Sequence, residues 1–228
     1  EGAGRIIRDR CTRCGKCAAV CFAEALRVVG RYYTPKELLQ EVRRDEPFYR
    51  TSGGGVTVSG GEPTMQPDAL REFLRLCKES RLHTALETCG FADWETLASV
   101  LPYLDLILYD VKAADPALHR EFTRQDNALI LGNLRRLVAC GIPLIPRLPL
   151  VPTMTARPDN LEAIAALLAD IGLAEVHLLP YHRLGESKLP RLDSPLPPLA
   201  LAPLTDEQKR LAAACFRERG LRVSMGGG

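Results

Sequence analysis

Apolar positions along the chain fall into two repeating periods. Short runs rich in aliphatic and β-branched residues predict strands at "GVTVS" (55–59), "HTALET" (83–88), "EVHLLP" (175–180) and "LRVSM" (221–225). "DLILYDV" (105–111) is a nearly continuous apolar run, the pattern of a strand covered on both faces. Helical spacing takes over between them. Residues 67–80 put Leu70, Phe73, Leu74 and Cys77 on one face, and residues 159–171 put Leu161, Ile164, Leu168 and Ile171 on one stripe before Gly172. Thr34 followed by Pro35 predicts a cap and a first helical residue for "TPKELLQEVRR". Asp93 is placed to cap "DWETLASVL", residues 126–140 read as a helix stopped by Gly141, and a last helix starts near Thr205.

Strands alternating with helices of this length predict parallel βα units. No G-x-G-x-x-G follows the first strand, which favours a barrel or partial barrel over a dinucleotide fold. One segment resists. "PLIPRLPLVP" (143–152) stands where a central strand is needed yet carries four prolines, which lack the ladder donor. The strand is kept because the flanking helices leave no other crossover. The first 34 residues or so show little periodicity, and Lys188 to Pro203 is proline-rich and irregular.

Composition narrows the classes. With 228 residues, 46% of them hydrophobic, the chain supports one sizeable core. A net charge of +2 implies no nucleic acid or other polyanion as partner. No apolar run approaches the roughly 18 residues that span a bilayer, and "EGAGRIIRDR" lacks the apolar stretch of a signal peptide. The chain starts at Glu1 without methionine, so an upstream piece or a fragment is expected. Of the eight cysteines, four crowd into the first 21 residues, whereas Cys77, Cys89, Cys140 and Cys215 are scattered singly. That distribution suits a metal better than a disulfide framework and points to a reducing cytoplasm.

The crowded cysteines read "CTRCGKCAAVC": Cys11, Cys14, Cys17 and Cys21 in a C-x2-C-x2-C-x3-C series. Thiolates at this spacing wrap a loop around a 4Fe–4S cluster. Zinc is the weaker alternative, since zinc sites usually come as two separated pairs. In two-cluster ferredoxins the fourth cysteine of such a run serves the other cluster. On that pattern Cys11, Cys14 and Cys17 hold one cluster and Cys21 points to a second. Downstream, Gly60 and Gly61 let a ligand approach the backbone after the 55–59 strand, and Glu62 can accept from an ammonium group. Other strand ends carry Glu87 and Thr88, Asp110 and Lys112, and His182, while Arg147 stands among the prolines of 143–152. Each alone reads as a cap, a surface charge or a satisfied histidine. Their shared place at C-terminal strand ends is where barrel sites lie.

"SGGGVTVSGGEP", "HTALETCGF", "DLILYDVK" and "HLLPYHRLGESK", in that order, resemble the glycyl-radical-enzyme activating enzymes of the radical S-adenosylmethionine superfamily, in the version with a ferredoxin-like insert. The resemblance runs from about Arg5 to about Lys188, with a looser tail. It implies a partial (β/α)6 TIM-like barrel over 34–228, lacking its first strand, and a partial ferredoxin-like 4Fe–4S insert over 1–33. It implies reductive cleavage of S-adenosylmethionine to a 5′-deoxyadenosyl radical that takes hydrogen from a glycine of a partner glycyl radical enzyme. A flavodoxin or ferredoxin would donate the electron, in an anaerobic cytoplasm. By position, Gly60, Gly61 and Glu62 would meet the methionyl ammonium, and Glu87, Thr88 and Asp110 would match a monovalent-cation site. Lys112 would lie near the reaction centre, and Arg147 and His182 would contact the nucleoside or methionyl part. The superfamily's C-x3-C-x2-C hallmark occurs nowhere in the sequence. The resemblance therefore implies an N-terminally truncated activating enzyme, inactive as it stands. Two alternatives are a non-catalytic 4Fe–4S electron-transfer or binding protein on a degenerate barrel, and unrelated chemistry on the same scaffold.

Overall fold

The computed structural model describes residues 6–189 and 197–226; residues 1–5 of the N-terminal segment and 190–196 of the proline-rich stretch lie outside them. Six strands form one sheet: β1 (Val56–Val58), β2 (Thr84–Thr88), β3 (Leu106–Asp110), β4 (Leu144–Leu150), β5 (Glu175–Pro180) and β6 (Arg222–Met225). Their order is β1-β2-β3-β4-β5-β6, and every neighbouring pair is parallel. Parallel neighbours need crossovers. These are α4 (Pro67–Glu79), α5 (Trp94–Val100), α6 (Pro116–Thr123) with α7 (Ala128–Ala139), α8 (Pro158–Asp170) and α9 (Asp206–Arg217). The sheet does not close, so β1 and β6 are its edges among the described residues.

The sheet has two unlike faces. Leu86, Ile107, Tyr109, Leu148, Leu150, Val176 and Leu178 are fully buried and join the helices' Leu74, Leu134, Ile164, Leu168 and Phe216 in one core. Burying side chains of this size contributes about 1.5–3 kcal/mol each. Strand residues alternate sides, so the intervening positions face the other way. Among them are Glu87, Asp110, Arg147, Glu175 and His177, all half-buried, alongside apolar residues such as Leu106 and Leu108. Register sets Asp110 beside Arg147, and Arg147 beside His177. "DLILYDV" is thus apolar on the helix side but ends in a charge on the other, and its expected burial on both faces holds only in part.

The elements follow the sequence pattern closely. Thr34 and Thr205 close capping boxes on α2 (Pro35–Val42) and α9, and Asp93 caps α5. The proline-rich strand forms as β4 over seven residues. Carbonyls at and just before it extend the pairing at its ends: Pro143 O, Arg147 O and Leu150 O accept from Ile107, Val111 and Tyr181. A proline nitrogen is not needed for any of these bonds. Three helices go beyond the sequence reading, the one-turn α1 (Lys16–Ala19), α3 (Glu46–Ser52) and α6. The signal for α6 lay in "DP": Asp115 caps the helix and Pro116 opens it. Helix α2 packs with Phe73 and Cys77 of α4 over the β1 edge. The N-terminal cysteines lie on a loop around the one-turn α1 (Lys16–Ala19). No helix among the described residues is long and apolar enough to cross a membrane.

Phe216, 0% exposed, ties α9 to the core. Phe216→Ala is expected to cost about 3–5 kcal/mol, read as a lowered urea midpoint with an unchanged strand signature by circular dichroism.

Candidate functional site

The C-terminal ends of β1 to β4 gather the polar residues. After β1 the chain turns through Gly60 and Gly61, both with positive φ and nothing within 4 Å of where a Cβ would stand. Glu62 follows and caps a short 3-10 turn. Its Oε1 accepts from Thr64 N at 3.3 Å, Thr64 Oγ1 at 2.8 Å and Thr88 Oγ1 at 2.7 Å. Its Oε2 accepts Cys89 N–H at 2.9 Å, and the Cys89 thiol adds a further bond to the carboxylate. Oε1 thus takes three of these bonds, leaving Oε2 the less committed oxygen. Burial works to raise the Glu62 pKa, but the bonds from Thr88, Cys89 and Thr64 outweigh it and hold the carboxyl below its usual range. The same carboxylate and partial burial push the Cys89 thiol up.

A second cluster lies on the face away from the helices. Arg147 Nη2 donates to Glu87 Oε1 at 2.7 Å, and Arg147 Nε stands 3.4 Å from Asp110 Oδ1. That pair is close but misaligned, leaving Arg147 Nε and Asp110 Oδ1 buried without a hydrogen-bond partner. Lys112 Nζ lies 4.0 Å from Asp110 Oδ2. Burial raises the Asp110 pKa, with Glu87 adding to it and Lys112 and Arg147 opposing. The cluster thus sets charges of both signs side by side at the strand ends.

The expected residues are only partly brought together. Glu87 and Asp110 converge on Arg147, but Thr88 is the next residue after Glu87, faces the opposite side, and is committed to Glu62. Among the described residues no three His, Cys, Asp or Glu side chains gather closely enough to hold a metal ion. His182 is exposed just past β5 and makes no side-chain hydrogen bond to the cluster among the described residues. All eight cysteines are free thiols. On the N-terminal loop, Arg13 N–H points at Cys11 Sγ at 3.4 Å, as backbone amides do toward cluster thiolates. Cys11 and Cys17 line a cavity of about 280 Å³, whereas Cys21 lines a separate one with Phe22. The four thiols are free but not gathered into a ligand set, so an iron–sulfur reading rests on their spacing and on the amide aimed at Cys11 sulfur.

A model of the radical SAM superfamily matches residues 10–178. The chain belongs to the radical SAM superfamily. It is 43% identical to the isethionate sulfite-lyase activating enzyme of Nitratidesulfovibrio vulgaris, over 84% of this chain and 63% of that protein. It is 39% identical to the choline trimethylamine-lyase activating enzyme of Oleidesulfovibrio alaskensis, over 94% of this chain and 81% of that protein. The crystal structure of a domain of pyruvate-formate lyase-activating enzyme from Bacteroides vulgatus superposes with a TM-score of 0.65 at 30% identity, covering 77% of this chain and all of that domain. The chain thus spans less than two thirds of the N. vulgaris relative's length. Its open parallel sheet is that of the superfamily's partial barrels.

Sequence reasoning about this radical SAM chain missed Thr64 and Cys89, which complete the Glu62 shell. Thr64 was within reach of the pattern, as a hydroxyl two residues past a capping carboxylate.

Because the Glu62 pKa is depressed on folding, its contribution is present above the ordinary value of 4.5 and is lost as pH falls through the lower folded value. Asp110, raised on folding, has the opposite slope. The difference between wild type and Glu62→Gln therefore isolates Glu62. The variant is expected to lose about 1–3 kcal/mol at neutral pH, and the gap should shrink on acidification in urea unfolding measured against pH.

Proposed function

We propose that this chain is the substrate-holding part of a glycyl-radical-enzyme activating enzyme, with an accessory iron–sulfur segment at its N-terminal end. The observation that carries the reading is the Glu62 carboxylate, fixed by Thr64, Thr88 and Cys89 directly after the unobstructed Gly60–Gly61 turn. Kinship with activating enzymes supports the same assignment.

Glu62 and the glycine turn receive the ammonium of S-adenosyl-L-methionine. Arg147, already balanced by Glu87 and Asp110, receives the methionyl carboxylate, and Lys112 holds positive charge at the mouth of the site. His182 serves the nucleoside part from the exposed end of β5. A monovalent cation between Glu87, Thr88 and Asp110 has less support, because the Arg147 guanidinium occupies that role for two of the three.

Cys11, Cys14 and Cys17 hold an accessory 4Fe–4S cluster, and Cys21 serves another. When bound, a reduced cluster supplies the electron that cleaves the sulfonium to methionine and a 5′-deoxyadenosyl radical. The open-iron cluster for that cleavage has no ligand set here, since C-x3-C-x2-C is absent and Cys77, Cys89, Cys140 and Cys215 are far apart in sequence. The partner is a glycyl radical enzyme presenting a backbone glycine, the electron donor a flavodoxin or ferredoxin, and the setting an anaerobic cytoplasm.

Anaerobic reconstitution tests the cysteine assignment. About four irons or fewer per chain are expected, lost in a Cys11→Ala, Cys14→Ala, Cys17→Ala triple variant, with no 5′-deoxyadenosine formed by the chain alone. Iron retained in the triple variant, or turnover by the chain alone, contradicts it. Equilibrium dialysis with labelled S-adenosylmethionine tests the site. Saturable binding weakened about tenfold or more by Glu62→Ala is expected from loss of a charge-assisted contact, and no saturable binding by the wild-type chain overturns the reading.

A further inference from the structure

The turn after β2 brings two donors to Glu62, yet the groups that fix this turn come from the outer layer. Asn133 on α7, 2% exposed, donates through Nδ2 to Gly90 O at 2.9 Å and to Ala92 O at 2.8 Å. The amide's nitrogen thus serves two turn carbonyls at once, the Gly90 one buried. Tyr109, on the helix side of β3 and fully buried, stands directly behind Gly90. A Cβ at Gly90 would meet the Tyr109 hydroxyl at 1.7 Å, and φ there is +70°, so only glycine fits. The same hydroxyl donates to Ile130 O on α7 at 2.7 Å. Gly90 N–H closes the turn on Thr88 Oγ1 at 2.9 Å, and that hydroxyl is the one donating to Glu62.

We propose that Asn133 and Tyr109 are positioning residues of the Glu62 site: from α7 and the outer face of β3 they clamp the 88–92 turn so that the Thr88 hydroxyl and the Cys89 N–H converge on one carboxylate. Neither residue reaches the ligand space. Both act through Gly90 and Ala92. A free turn of this length samples many conformations, and holding it in one removes that entropy before any ligand arrives. The consequence for ligand affinity rests on the proposed function, whereas the clamp itself stands on the distances.

The test compares wild type with Asn133→Ala and with Tyr109→Phe, which keeps the ring behind Gly90 but loses the bond to Ile130. Two readouts need no ligand: hydrogen exchange at the Cys89 amide against amides of Leu148 and Leu178, and an NMR titration of the Glu62 carboxyl. In Asn133→Ala the Cys89 amide should exchange about tenfold faster while the β4 and β5 amides stay within about twofold. The Glu62 midpoint should move up toward its ordinary 4.5. Tyr109→Phe should shift both in the same direction by less. Affinity for S-adenosylmethionine should fall in step with the exchange. The inference is overturned if a folded Asn133→Ala leaves Cys89 exchange and the Glu62 titration unchanged, or if all core amides loosen equally, which is the mark of general destabilisation. Should Asn133→Ala not fold, Tyr109→Phe decides by the same criteria. Failure of the wild type to bind S-adenosylmethionine would overturn the proposed function and leave the exchange and titration results to judge the clamp.

Discussion

Everything in this molecule depends on the two-sidedness of its parallel sheet. The side packed on the helices is dominated by Leu86, Ile107, Tyr109, Leu148, Leu150, Val176 and Leu178, with Thr84 and Thr88 its buried polar residues. The other side carries Glu87, Asp110, Arg147, Glu175 and His177. Consecutive side chains point to opposite faces, so the apolar set packs on the helices while the charged set stays half-buried on the other side. Stability and function are drawn from alternate residues of the same strands.

The charged face is self-compensated rather than rigidly paired. Glu87 and Asp110 share the Arg147 guanidinium, and Lys112 adds a second cation at longer range. Isolated, any of these charges would be costly in a half-buried setting, and as a group they nearly cancel. Glu62 and Asp110 are carboxyls with opposite environments. Hydrogen bonds keep Glu62 ionised, whereas burial pushes Asp110 toward its neutral form. One is a fixed acceptor and the other is sensitive to what binds beside it. That division of labour follows from donor count: four N–H and O–H donors reach Glu62, whereas Asp110 Oδ1 has no aligned donor.

Most of the architecture was legible in the chain. The strand β5 and the helix caps at Thr34, Asp93 and Thr205 are stated directly by periodicity and capping chemistry. The sheet through "PLIPRLPLVP" was legible only by topology, since local propensity opposed it. Carbonyls at and just before it, which proline retains, extend the pairing at its ends. The site was legible as a set of strand-end residues, but their grouping was not. Glu87 and Thr88 are adjacent in sequence yet serve opposite faces, and Arg147 pairs across two strands with a residue 60 positions away. Asn133 and Tyr109 gave no signal, because a buried asparagine on a helix reads like any other until the turn it holds is seen. The N-terminal cysteines were legible as a spacing pattern, and the described residues do not gather them into a ligand set.

The most direct measurement is a titration of the ¹⁵N-labelled chain with S-adenosyl-L-methionine, followed by amide and arginine side-chain resonances. Concerted shifts at Gly60, Gly61, Cys89 and Arg147 Nε, with Arg222 at the opposite end of the sheet unmoved, are the predicted result. No saturable shift, or shifts confined to the N-terminal ends of the strands, would contradict it.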